Sequence, residues 1–127
     1  MSLTKVDNNN EITINSGKFQ NVIKIEGYTG EKDVAYKVRG TAKIDIDTSK
    51  INDTMYIETR VFSVISDYNN RTPIVLKKDS NIVEIEHSNV FLGLFDKEDA
   101  DIEFWVYNNT NVPIKLTDIE LILEKLD

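Results

Sequence analysis

With 127 residues, 40% of them hydrophobic, and no cysteine, the chain is long enough to bury one core and has no disulfide framework, thiolate nucleophile or cysteine-based metal site. A formal charge of −7, with no basic stripe of interleaved aromatics, sets it against phosphate backbones and anionic membranes, so nucleic acid is not an expected partner. No apolar run approaches the length of a membrane span, and the leading MSLTKVDNNNEIT lacks the charged and apolar regions of a secretory signal, so synthesis in the cytoplasm without a signal peptide is expected.

Residues 1–10 read as a flexible arm, because Asp7-Asn8-Asn9-Asn10 offers nothing to bury and favours turns; a single domain is expected over 11–127. Short strands are expected at Glu11 to Asn15, with Ile12 and Ile14 on one face, and at Phe19 to Glu26, where Ile23 and Ile25 share a face. Gly27-Tyr28-Thr29-Gly30 is expected to turn, since glycine permits positive φ. Asp33 to Arg39 and Thr41 to Asp47 each alternate apolar with polar residues and are separated by Gly40, which predicts two strands with one wet face each. After a polar loop from Thr48 to Asp53 comes the longest run, Thr54 to Ser66. There Met55, Ile57, Val61 and Ile65 alternate with Tyr56, Glu58, Arg60, Phe62 and Val64, which places this strand inside a sheet.

Asp67 to Thr72 reads as a loop, and Pro73 as the start of an edge strand, Ile74 to Lys77, where a missing N–H donor does least harm. Strands at Asn81 to His87 and Val90 to Phe95, the latter around Gly93, precede an acidic loop, Asp96 to Asp101. In the last quarter Ile102, Phe104 and Val106 alternate with Glu103, Trp105 and Tyr107, and Ile119, Leu121 and Leu123 with Glu120, Ile122 and Glu124. Leu116, Ile119, Leu123 and Leu126 also fall at helical spacing, with Thr117 and Glu120 placed as a capping box, so this run alone reads as helix or strand. Its period-two neighbours favour strand. The whole pattern predicts an all-β, antiparallel, jelly-roll-like sandwich of about nine or ten strands joined by short loops.

The order of a long alternating strand, a polar loop, IEFWVYN and then LTDIELILE resembles the end of jelly-roll carbohydrate-binding modules. It also resembles the related jelly-roll domains of bacteriophage tail, baseplate and head-decoration proteins. The likeness runs from Thr54 onward and implies a sandwich with a binding or structural role. The chain departs from the sugar-binding pattern in holding only one tryptophan.

Trp105 and Tyr107 fall on one strand face about 7 Å apart, given a rise of ~3.3 Å per residue, a spacing suited to stacking on successive sugars with polar contacts from Glu103, Arg60 and Asn108. The same rings equally suit covering a sheet or meeting a neighbouring subunit. Asp45, Asp47 and Asp53 frame the loop DIDTSKIND, and Ca²⁺ is the cofactor such oxygens would take; a solvated loop is the alternative, since Lys50 stands where an EF-hand has glycine. His87, the only histidine, is expected to be structural. The triplets at Asn52, Asn70 and Asn108 fit the glycosylation sequon and fall in expected loops.

No side chain is marked out as a nucleophile or general base, so no catalytic residue and no enzyme activity are expected. The expected function is a structural or binding module of a larger assembly, specifically a bacteriophage virion accessory such as a head-decoration or tail and baseplate protein. It would sit at the surface of a virion or other extracellular particle. Its partners are other subunits, met through edge strands, the arm Met1 to Asn10 and the aromatics Tyr28, Tyr68 and Trp105. The alternative is a carbohydrate-binding module for a cell-surface or plant glycan.

Overall fold

The alternation is realised as nine strands: β1 (Ser2–Asn8), β2 (Ile12–Ile14), β3 (Phe19–Gly30), β4 (Ala35–Asp45), β5 (Tyr56–Ser63), β6 (Asn70–Val75), β7 (Glu84–Leu92), β8 (Lys97–Asn109) and β9 (Ile114–Lys125). The computed structural model describes residues 2–52, 54–66 and 70–126, with Asn70 by its backbone alone. Among these the one helical element is a single 3-10 turn, Thr48–Lys50.

One sheet has the order β1-β9-β4-β7, and the other β3-β8-β5-β6. Strands β1 and β2 lie along successive stretches of β9, from Ser2 opposite Lys125 to Asn8 opposite Ile119, then from Ile12 opposite Leu116 to Ile14 opposite Ile114. Counted as one broken strand they leave eight strands, and every link except β5 to β6 crosses from one sheet to the other. That wiring is a jelly-roll β-sandwich.

The inward rows close over one core. Tyr36, Val38, Ile85, Leu116, Leu121 and Leu123 come from the first sheet, and Ile57, Val61, Ile102, Phe104 and Val106 from the second. Burial of each such side chain contributes about 1.5–3 kcal/mol, which is what selects this register over one shifted by a residue.

Several boundaries differ from the sequence expectation. The supposed flexible arm contributes β1, because Thr4, Val6 and Asn8 have Leu123, Leu121 and Ile119 as partners along the open edge of β9. Gly40 does not divide two strands. A Cβ there would stand 2.8 Å from the Phe104 ring, so the glycine makes room for that ring beneath a continuous β4. Gly27, at φ 67°, lies in a bulge of β3 where the register slips between Ile25 and Tyr28, so the expected turn is strand.

Likewise β7 runs unbroken through Ser88 and Asn89, which pair with Arg39 and Val38. Strand β6 begins at Asn70 inside the expected loop, and Pro73 takes its place in this edge strand opposite Glu58. Lys97 to Asp101 belong to β8 and not to a loop. The final run is strand throughout, so Thr117 and Glu120 cap no helix.

Candidate functional site

Strand parity builds the site. In β8 the inward row is Ile102, Phe104, Val106 and Asn108, which leaves Glu103, Trp105, Tyr107 and Asn109 outward. Strand β5 lays Phe62 opposite Glu103, Arg60 opposite Trp105 and Glu58 opposite Tyr107. On the other flank β3 sets Asn21 opposite Trp105 and Phe19 opposite Tyr107, while β6 sets Arg71 opposite Arg60. Trp105, Tyr107, Glu103 and Arg60, chosen from the sequence, thus stand on one sheet face. Asn108 does not join them, because its parity turns it inward, where it is fully buried.

The face is an array of rings around arginine. Phe19 stacks on Trp105 at a centroid distance of 4.9 Å, and Tyr107 is tilted against Phe19 at 6.1 Å and meets Tyr56 edge-on at 6.4 Å. The Arg60 guanidinium lies 5.8 Å from the Phe19 centroid and 5.9 Å from that of Phe62, within cation–π range of both. Two shallow grooves result. One of about 260 Å³ is lined by Phe19, Glu58, Arg60, Arg71 and Tyr107, and the other, of about 220 Å³, by Phe19, Arg60, Phe62, Glu103 and Trp105.

Arg60 Nε is buried without an acceptor, and among the described residues neither Arg60 nor Arg71 joins an ion pair. The outer face of the first sheet is different in kind. Lys5 pairs with Glu120 at 3.2 Å, Arg39 with Glu86 at 3.1 Å and Lys43 with Asp118 at 3.0 Å, three ion pairs that each join neighbouring strands.

The remaining sequence choices fall elsewhere. Tyr28 packs edge-on against Tyr36 at 5.9 Å, away from the ring array, and burial pushes its hydroxyl pKa up to about 12. Asp45 ends β4 opposite Lys115. Asp47 accepts hydrogen bonds from the Ser49 hydroxyl at 2.6 Å and the Ser49 backbone N–H at 3.1 Å, which hold its pKa below the usual carboxylate value and close the 3-10 turn. Among the described residues no three carboxylates or histidines gather around a common point. Tyr68 and Asp53 lie outside the described residues.

Sequence reading alone does not single out Phe19, Glu58, Phe62 and Arg71. Phe62 and Glu58 alternate in step with Arg60, and that parity was a sufficient signal for them. Phe19 carried none, because a bulge between Asn21 and Ile23 breaks the period-two count that would have aligned it with Trp105.

No family model matches the chain. In sequence it is similar to a DNA polymerase of Choristoneura biennis entomopoxvirus, 28% identical over 117 residues that make up 87% of this chain and 12% of that protein. In structure it is similar to the infectious bursal disease virus VP2 subviral particle, with a TM-score of 0.63 over 96% of this chain and 32% of that chain at 5% identity. The likeness is one of fold. The C-terminal domain of EclA, a sugar-binding protein, aligns with a TM-score of 0.45 over 90% of this chain and 78% of that chain at 11% identity.

Proposed function

We propose that this chain is a non-enzymatic binding module of a larger viral assembly, presented at the surface of a virion or other extracellular particle, and that the outer face of β3-β8-β5-β6 takes a glycan. The observation that carries the reading is the contrast between the two outer faces. One is crossed by ion pairs between strands, and the other exposes rings interleaved with arginines that have no carboxylate partner among the described residues. An uncovered aromatic patch of this kind marks an interaction site. Ring faces suit the apolar C–H face of a pyranose, and Glu58, Glu103 and Arg60 suit its hydroxyl edge.

The viral setting is supported by the kinship to an entomopoxvirus protein. A bacteriophage head-decoration or tail role is the narrower form of the same proposal, drawn from the sequence resemblance. Contacts with other subunits would use the edges of the first sheet, where Leu3 on β1 and Val90 and Leu92 on β7 are exposed. Polymerase activity is not carried over, because the shared stretch is 12% of that relative.

The test is a glycan array probed with the purified chain and with Phe19→Ala and Trp105→Ala. Binding to a defined set of glycans, lost in both variants, is expected. Absence of any glycan signal, or a signal unchanged in both variants, would overturn the reading.

A further inference from the structure

We infer that the ligand of this face is an acidic saccharide whose carboxylate is taken by Arg60 and Arg71 in the wider groove. The inference rests on the reading of the face as a glycan site and adds the charge of the ligand. Arg60 and Arg71 stand directly opposite each other on adjacent strands. Like charges in that arrangement repel and destabilise a sheet unless an anion lies between them. No carboxylate of the chain does so among the described residues, although Glu58 lines the same groove. On a protein of net charge −7, these two neighbouring guanidinium groups, with no ion pair among the described residues, concentrate positive charge on one side of the groove.

The packing of Arg60 points the same way. Its guanidinium lies 5.8 Å and 5.9 Å from the Phe19 and Phe62 ring centroids, contacts that restrict the planar fork before any ligand arrives. A preorganised arginine fork matches a carboxylate and loses little entropy on binding one. Arg71, exposed on the edge strand, supplies the second positive group from the opposite side. Glu58 then lies where it accepts hydroxyl groups from the same sugar, and its charge confines the acid to the Arg71 side of the groove.

A saccharide fits this surface better than a protein segment. The two grooves are small, about 260 and 220 Å³, and share Phe19 and Arg60 as the ridge between them, the layout of two adjoining subsites for successive ring units. Neither reaches the ~300–1,000 Å³ typical of a pocket for a larger ligand.

The experiment is an array of uronate- and sialate-bearing oligosaccharides printed beside their methyl esters, followed by calorimetric titration of the best pair at low and high salt. Native chain, Arg71→Gln and Phe19→Ala are compared, with circular dichroism to verify folding; Arg71→Gln alters an exposed side chain outside the core. The acid is expected to bind about tenfold or more tightly than its ester, as a charge-assisted hydrogen bond allows. Arg71→Gln should weaken the acid about tenfold more than the ester and so erase that preference, and Phe19→Ala should weaken both to a similar extent.

Equal binding of acid and ester, unaffected by Arg71→Gln, would overturn the acidic inference and leave the glycan reading standing. Binding of a polyglutamate peptide as tightly as of the acid would also overturn it, in favour of a protein ligand. Silence across the whole array would overturn both readings.

Discussion

Phe19 lies over Trp105 with the ring planes 18° from parallel and the centroids 4.9 Å apart, so one face of the indole is already covered from within the chain. The outer platform of the pair is therefore the Phe19 ring, 39% exposed, with Trp105 beneath it lining the narrower groove. Sequence reading selects Trp105 for its place beside Tyr107 on one strand face. The fold adds Phe19 to that face and sets it outermost.

That stack makes the only tryptophan a reporter. Phe19→Ala is expected to move its emission to longer wavelength and to lower stability by about 1 kcal/mol, the scale of an aromatic pair that is partly exposed. Fluorescence and urea denaturation check both. Emission identical to that of the native chain would show that the two rings do not stack in solution.

The sequence was most legible where parity is unbroken, and its failures lie at bulges and glycines. In β8 the rows Ile102, Phe104, Val106 and Glu103, Trp105, Tyr107 fall as alternation requires, so most of the aromatic face was readable. In β9 the count fails at Asp118, which adopts φ 48° where the register slips between Thr41 and Lys43. Leu116 and Ile119 both turn inward across that bulge, three positions apart, and this is why the run also looked helical. Gly40 looked like a break for a different reason. Nothing in the local sequence reveals a ring from a strand of the opposite sheet, and only Phe104 explains it.

Gly40→Ala tests that explanation. The added methyl would meet Phe104 ring atoms at 2.8–2.9 Å, and Phe104 is itself fully buried with no room to withdraw. A loss of about 1–3 kcal/mol is expected from overpacking, although alanine suits a strand better than glycine does. Urea midpoints of the two proteins measure it. An equal or higher midpoint for the variant would show that Gly40 is spared by something other than the ring.

Asn108 ties together the chain segments at one end of the sandwich. Its Nδ2 donates to Ile14 O at 2.9 Å and Val112 O at 2.8 Å, and its Oδ1 accepts from Thr110 N at 3.0 Å and Thr110 Oγ1 at 2.6 Å. Asn108→Ala would strand these buried groups and is expected to cost about 2–4 kcal/mol, since each orphaned group costs ~1–3 kcal/mol. A thermal melt within a degree or two of the native value would mean that water replaces the amide.

His87 gives the stability a pH dependence. The imidazole is 1% exposed between the sheets, its Nδ1 3.3 Å from Thr59 Oγ1 and its Nε2 without a partner among the described residues. Burial disfavours the charged ring and lowers its pKa from the ordinary 6.5. The unfolded chain therefore takes up the proton first, and the unfolded state binds more protons as the pH falls below about 6.5. This contribution is complete above that pH and is lost progressively as the pH drops toward the folded value. Urea midpoints should hold steady from about pH 7 to 8 and fall by pH ~5.5, while His87→Met, apolar and similar in volume, should show a smaller fall. Parallel losses in the two proteins over that range would assign the pH dependence to other groups and leave His87 a packing residue only.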